Sequence, residues 1–262
     1  MTDTHQFTIY REPPRRALTA RNLEDFELCP QKYLLSFFQP PRETGRALGG
    51  PAALHQAVRA ALLELDRAGG PEAVPEARLL EWFEAAWEGG CCADSLEEEQ
   101  LHAQGLAMLR RYREARAGET ARVLATDLRL EAEIGGHPFV AVADRVEEAP
   151  DGTLTLLRYK TTRRPPGPGE LAGDLSAGVL LLVGERHFGR PVEVAICAVR
   201  SGQTVRADFP PDARKELEAR LSETAERLRR ATDYPPRRGK ACRACRSRAQ
   251  CPAWHPAPEP AP

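Results

Sequence analysis

Lysine is nearly missing from this chain of 262 residues: of 37 basic side chains, only Lys32, Lys160, Lys215 and Lys240 are lysines. The heavy use of Ala, Arg, Gly and Pro reads as a coding bias, so arginine counts alone carry little weight. Aromatics are scarce at 6%, and Tyr33, Phe37 and Phe38 recur at helical spacing, as core residues do rather than base-stacking platforms. Nowhere do about 18 to 20 apolar residues follow one another, which excludes a membrane-spanning helix of the usual kind. The opening MTDTHQFTIYREPPRR has no apolar core of a secretory signal, so the expected location is cytoplasmic, where cysteines stay reduced. No ATP-binding P-loop and no internal repeat occur. Apolar residues at 42% and charged residues at 29% exclude a disordered polymer, and the length allows one large domain or a domain with a small appendage.

The net charge of −1 hides an asymmetry. Between Arg214 and Arg248 lie twelve basic and five acidic residues, an excess that suits either a polyanion partner or a solvated helix face. Within it, Arg237, Arg238, Lys240 and Arg243 are candidate nucleic-acid contacts.

Along the chain, residues 1–16 lack periodicity and carry a Pro-Pro pair, predicting an extended arm. A helix is expected from Thr19–Ala20 through ARNLEDFELCPQKYLLSFF, broken after Cys29 by Pro30. GGPAALHQAVRAALLELDRAGG predicts an amphipathic helix carrying His55, and two more helices follow around PEARLLEWFEAAW and SLEEEQLHAQGLAMLRRYREAR. ARVLATDLRLEAEI, FVAVADRVEEA and TLTLLRYKT then predict three strands joined at GGHP and PDG. One apolar helix is expected over ELAGDLSAGVLLLVGERHFG, then strands over VEVAICAVRS and TVRADF, then a charged helix and a Cys- and Arg-rich tail. This order points to an α/β (α+β) fold with a central mixed β-sheet flanked by helices. The expected domain spans 17–254: a helical part 17–118, a sheet core 120–210, and a C-terminal helix with the cysteines over 211–254. Residues 255–262 are expected as a disordered tail.

Seven cysteines occur. Cys242, Cys245 and Cys251 form C-x2-C-x5-C, and three thiols this close in a reducing compartment point to a metal, because short loops let their sulfurs converge. A tetrahedral site wants a fourth ligand, and Cys29, in the Leu-Cys-Pro turn that breaks a helix, is the best candidate. Zinc and an iron–sulfur cluster both take four thiolates, and the spacing alone does not separate them. Cys91, Cys92 and Cys197 read as ordinary loop or buried thiols.

Asp144, in ADRV, and Lys160, in RYKTT, fall on adjacent strands. An acid that holds Mg²⁺ and a lysine that orients water are the makings of a phosphodiesterase centre, although two such residues also suit a surface ion pair. His55 between Leu54 and Val58 suits a satisfied core histidine equally well. Taken with the cysteines, from about Leu18 to Trp254 the chain resembles the PD-(D/E)XK nuclease superfamily, in its RecB-like branch with a cluster. LTARNLEDFELCPQKYLL is similar to the family's opening helix, VADRVEEAPDGTLTLLRYKTT to its acid strand, turn and lysine strand, and CRACRSRAQCP to its closing three-cysteine pattern. The resemblance implies a restriction-endonuclease-like core and a [4Fe–4S] cluster, rather than zinc, on Cys29, Cys242, Cys245 and Cys251. It implies Mg²⁺ or Mn²⁺ on His55 and Asp144, with Lys160 as the third catalytic residue. The implied partner is DNA, single-stranded or at its ends, with a helicase or repair complex beside it and no membrane.

The resemblance also shows departures. Arg158 stands where the family has the motif acid two positions before the lysine. At an effective dielectric of about 20, a unit charge at roughly 4 Å contributes about 4 kcal/mol, so a cation there opposes Mg²⁺ strongly. Arg158 is therefore a candidate DNA contact rather than a metal ligand. Ser176 and Leu180 replace the Gln and Tyr of a downstream pattern, and Ala141 replaces a glycine. Glu131 or Glu133, on the neighbouring strand, is the candidate replacement acid. Two functions follow from the resemblance: a metal-dependent DNA exonuclease of repair or recombination, or an impaired nuclease fold that binds DNA or assembles a complex. A zinc-stapled interaction protein is the reading from outside this class.

Overall fold

The computed structural model describes residues 16–38 and 49–254. The expected arm, Arg16 apart, and the expected tail lie outside these residues. Helix α1 (Ala20–Leu28) opens with reciprocal hydrogen bonds between Thr19 and Asn22, and α2 (Pro30–Phe37) follows after a single extended residue. That residue is Cys29, at φ −164° and ψ 109°. Pro30 explains the corner: it needs no amide partner in the first turn of a helix, and it forces the residue before it out of helical geometry.

Three helices then form one layer: α3 (Gly50–Arg67), α4 (Glu76–Ala86) and α5 (Ser95–Ala115). Gly105 of α5 lets the Phe83 ring of α4 lie against the helix where a β-carbon would clash. The sheet follows the order β1 (Arg122–Ile134), β2 (His137–Glu148), β3 (Leu154–Lys160), β4 (Glu193–Ala198) and β5 (Gln203–Arg206). Every neighbouring pair is antiparallel except β3–β4, which is parallel. The β1–β2 turn is Gly135-Gly136 at φ +56° and +76°, the left-handed pair that a two-residue hairpin needs.

The parallel step is made by α6 (Pro168–Ala172) and α7 (Leu175–Phe188). The sequence predicts one helix here. The chain divides at Gly173–Asp174 because the Asp174 side chain accepts the Ala177 N–H at 2.9 Å and starts a new helix. Helix α7, with α1 and α8 (Pro211–Arg230), covers one face of the sheet around Leu130, Phe139, Leu156 and Val183. The α3–α5 layer covers the other around Leu62, Phe83, Tyr112 and Tyr159. The fold is the expected mixed sheet flanked by helices. No helix among the described residues is long and apolar enough to cross a membrane.

Candidate active site and cysteine module

The site begins at a fault in the sheet. Along β2, Phe139, Ala141 and Ala143 face the α7 side, but so does Val146, so the alternation skips at Asp144. Opposite it, β1 skips between Ala125 and Leu128, and Asp127 there takes φ +50°, a left-handed conformation unusual for a residue with a side chain. The paired fault frees the Asp144 carboxylate to reach sideways. Its Oδ2 accepts the backbone N–H of Tyr159 on β3 at 2.7 Å, and its Oδ1 accepts Nε of Arg59 on α3 at 2.7 Å. The same guanidinium donates to Asp127 Oδ1 at 2.5 Å. Asp144 is 2% exposed, so both of its oxygens are held by protein donors in a buried setting.

His55 precedes Arg59 by one turn of α3 and therefore points the same way. Its Nδ1 lies 3.4 Å from Thr161 Oγ1, just past Lys160. Burial, then the Lys160 charge, lowers the histidine pKa, with Arg59 and Arg158 adding to the fall and Asp144 opposing it. Lys160 is itself held below the usual lysine value, first by burial and then by Arg158, against the charges of Asp174, Asp144 and Glu24. Arg158 shares a face of β3 with Lys160 and donates from Nη1 to Ser176 Oγ at 3.3 Å, while its buried Nε has no partner among the described residues. The fold thus brings His55, Asp144, Arg158 and Lys160 together.

Glu131 and Glu133 do not join them. Strand register sets them against Val140 and Pro138, and Asp127 is the residue across from Asp144. Both glutamates are exposed, and Glu131 pairs with Arg129 at 2.7 Å. The expected replacement acid is corrected on this ground: a strand advances about 3.3 Å per residue, so four residues carry Glu131 about 13 Å away along β1. The sequence reading missed Arg59 and Asp127, which define the environment of Asp144, and Glu24 and Asp174, which act on Lys160. Only the helix-start spacing Asp174-Leu-Ser-Ala177 carried a signal. Two engaged carboxylate oxygens, a histidine and several cations do not suit Mg²⁺ or Mn²⁺ as the side chains stand.

Behind this site, the α3–α5 face of β2 and β3 carries a buried polar network, also missed from the sequence. Tyr159 donates a short hydrogen bond to Asp66 of α3, and its hydroxyl lies 3.0 Å from that of Tyr112. Arg145 reaches Asp66 at 3.2 Å and Glu147 at 2.8 Å, and Arg116 reaches Glu147 at 3.0 Å. Residues flanking Asp144 and Lys160 in sequence are therefore fixed from behind.

The four cysteines singled out above line one cavity of about 410 Å³. Cys29 comes from the α1–α2 corner; Cys242 and Cys245 belong to one tight turn and Cys251 follows a second. The Arg237 N–H points at Cys29 Sγ at 3.3 Å, and the Gly239 N–H at Cys242 Sγ at 3.4 Å. Tyr234 stacks on Tyr33 and meets Phe26 edge-on, docking this module against α1 and α2. Among the described residues, no three His, Cys, Asp or Glu side chains stand close enough to hold a single metal ion. Four thiols that line one cavity, with amides aimed at two of the sulfurs, are a donor set that zinc and an iron–sulfur cluster both take. Cys197 is buried in β4, which pushes its thiol up to about 11; Cys91 and Cys92 lie side by side in the α4–α5 loop, sulfurs 3.8 Å apart.

The molecule is thus a mixed five-stranded sheet flanked by helices, with an aspartate on one strand, a lysine at the end of the next and a histidine on the covering helix α3. The family model for the PD-(D/E)XK nuclease superfamily matches residues 17–252, and the chain belongs to that superfamily. The crystal structure of a candidate exonuclease from Eubacterium rectale superposes with a TM-score of 0.54 at 11% identity, covering 100% of this chain and 96% of that one. At that identity the likeness concerns the fold. The structure of SSO0001 superposes with a TM-score of 0.37 at 16% identity, covering 87% of this chain and 95% of that one. No curated protein matches the chain.

Proposed function

We propose that this protein is a DNA-binding member of the RecB-like branch whose hydrolytic centre is suppressed and whose shape is pinned by a [4Fe–4S] cluster. One observation carries the reading of the centre: both Asp144 oxygens are engaged, by Arg59 and by the Tyr159 N–H, with Arg158 in the place of the motif acid. A divalent ion at this point must displace the half-buried Arg59 guanidinium from the buried Asp144 carboxylate, which opposes metal binding. Lys160 and Arg158 instead make a cationic pocket that suits a phosphate, with the uncharged His55 beside them.

Cys29, Cys242, Cys245 and Cys251 are the residues that would hold the cluster. Bound there, it would supply covalent links closing a loop of more than 200 residues, a constraint of about 5 kcal/mol on chain entropy. Those links hold the basic C-terminal segment against α1. The same helix carries Glu24, whose charge reaches Lys160, one turn before Leu28 at the cavity wall. In the cytoplasm such a module would work beside a helicase or repair complex.

The test uses anaerobically purified protein. A brown visible band with matching iron and sulfide is expected, together with retention of linear DNA and no cleavage in Mg²⁺ or Mn²⁺. Zinc without iron would overturn the cluster, and an absence of DNA binding would overturn the reading as a whole. The second reading, an active exonuclease, draws on the grouping of His55, Asp144 and Lys160; cleavage lost on Asp144→Ala would establish it.

A further inference from the structure

Strand β1 is 13 residues long and forms one edge of the sheet; β5, at the other edge, has only 4. Which backbone groups of β1 face outward follows from β2. The Pro138 C=O accepts the Leu18 N–H and the Val140 N–H donates to the Leu18 C=O, both at 2.8 Å, on the side of β2 away from β1. Pro138 and Val140 stand opposite Glu133 and Glu131, so these are the ladder pairs that exchange no hydrogen bonds. Glu133, Glu131 and, two residues before them, Arg129 therefore turn their N–H and C=O groups out of the sheet, where no described residue takes them up. Their side chains are exposed as well. Sheet edges are normally blunted by proline, by charge or by a bulge. Here the left-handed Asp127 and Gly135 bound the free stretch, but Leu128–Ile134 between them has no proline and carries charges of both signs. Arg129 and Glu131 have only each other, at 2.7 Å and 60% exposed, and such a pair contributes little in water. On the opposite face, half-buried Leu128 and Ala132 flank the core residue Leu130.

We propose that β1 is a self-complementary edge that pairs antiparallel with β1 of a second copy, joining the two sheets across a two-fold axis at Leu130. Only residues with outward backbone groups can stand opposite one another, so the possible registers differ by steps of two residues. Centred on Leu130, Arg129 lies opposite Glu131 of the second copy and Glu131 opposite its Arg129, each pair exchanging backbone hydrogen bonds. Leu128 then meets Ala132 of the second copy, and Ala132 its Leu128. Centring on Arg129 or on Glu131 instead sets two like charges face to face, which is unfavourable. An unrelated peptide could satisfy the same backbone groups; the match of charged and apolar positions to β1 itself favours a second copy. Two-fold pairing also consumes the free edge of both copies, so the assembly closes at two.

Sedimentation velocity of the full chain, kept reduced and without DNA, reads the association over a rising concentration series. Wild type should pass reversibly from monomer to dimer. Each charge pair occurs twice at a two-fold interface, so Arg129→Glu and Glu131→Arg each turn two attractive pairs repulsive and should weaken the dimer at least about 10-fold. Combining Arg129→Glu with Glu131→Arg restores opposite charges across the axis and should regain most of the affinity. An equimolar mixture of the two single variants should form a mixed dimer, which also shows that both are folded. A wild type that stays monomeric throughout, a dimer indifferent to either single change, a combined variant that does not recover, or a mixture that stays monomeric would overturn the interface. The functional reading above stands or falls separately, on cleavage and DNA retention.

Discussion

Two populations of arginine divide this molecule. Within the sheet and its helices, Arg59, Arg116, Arg145, Arg186, Arg214 and Arg220 each grip a carboxylate, Arg116 and Arg145 out of water. In the cysteine module, Arg237, Arg238, Arg243, Arg246 and Arg248 grip none among the described residues. The same residue type thus does two jobs in one chain. Where it is paired, its charge is cancelled and it fixes geometry, including that of Asp144; where it is unpaired, its charge is available to a polyanion. A composition that balances to −1 conceals this division, because balance over the whole chain says nothing about where each charge finds its partner.

The largest expected effect lies at the join between the regions. Cys245→Ser should abolish bound iron and lower the melting temperature of the whole domain, since up to about 5 kcal/mol of chain constraint goes with the crosslink. Unchanged iron and melting would separate the module from the fold. Next comes the paired population: Arg145→Met leaves Asp66 buried with its cation removed, while Glu147 keeps Arg116, and urea denaturation should show a loss of about 3–5 kcal/mol. An equal loss on Arg243→Met would erase the contrast, because that residue is exposed and unpaired. Gly105→Ala, which presses a methyl into the Phe83 ring, should cost about 1–3 kcal/mol with DNA affinity unchanged. The smallest effect sharpens the unpaired side: Arg237→Ala should reduce the slope of log affinity for single strands against log salt by about 0.7. Arg186→Ala, removed from an ion pair with Glu218, should leave the slope alone.

The two regions also differed in how far the sequence revealed them. Prolines and glycines punctuate the chain so sharply that Pro30, Gly135-Gly136 and the Gly-flanked α3 marked their element boundaries directly. The cysteine spacing likewise singled out the residues that line the cavity. What stayed hidden depends on contacts between distant elements. Arg59 reads as a polar residue on an amphipathic helix, and nothing local says that a double skip in the pleat turns Asp127 and Asp144 toward it. Arg145 and Glu147 are charged residues on a strand, and only the covering helices, with Asp66 of α3 and Tyr112 of α5, enclose and pair them. Glu131 and Glu133 were misplaced for a related reason: hairpin pairing gave the right neighbour strand, but register decides which acid faces Asp144.

The most direct measurement of a suppressed centre compares Mn²⁺-dependent cleavage of linear DNA by wild type, by Arg158→Asp, and by Arg59→Ala combined with Arg158→Asp, each repeated on an Asp144→Ala background. Wild type should be silent, and removing both guanidinium groups while restoring the acid should produce cleavage that Asp144→Ala abolishes. Cleavage by the wild type that depends on Asp144 would contradict suppression outright.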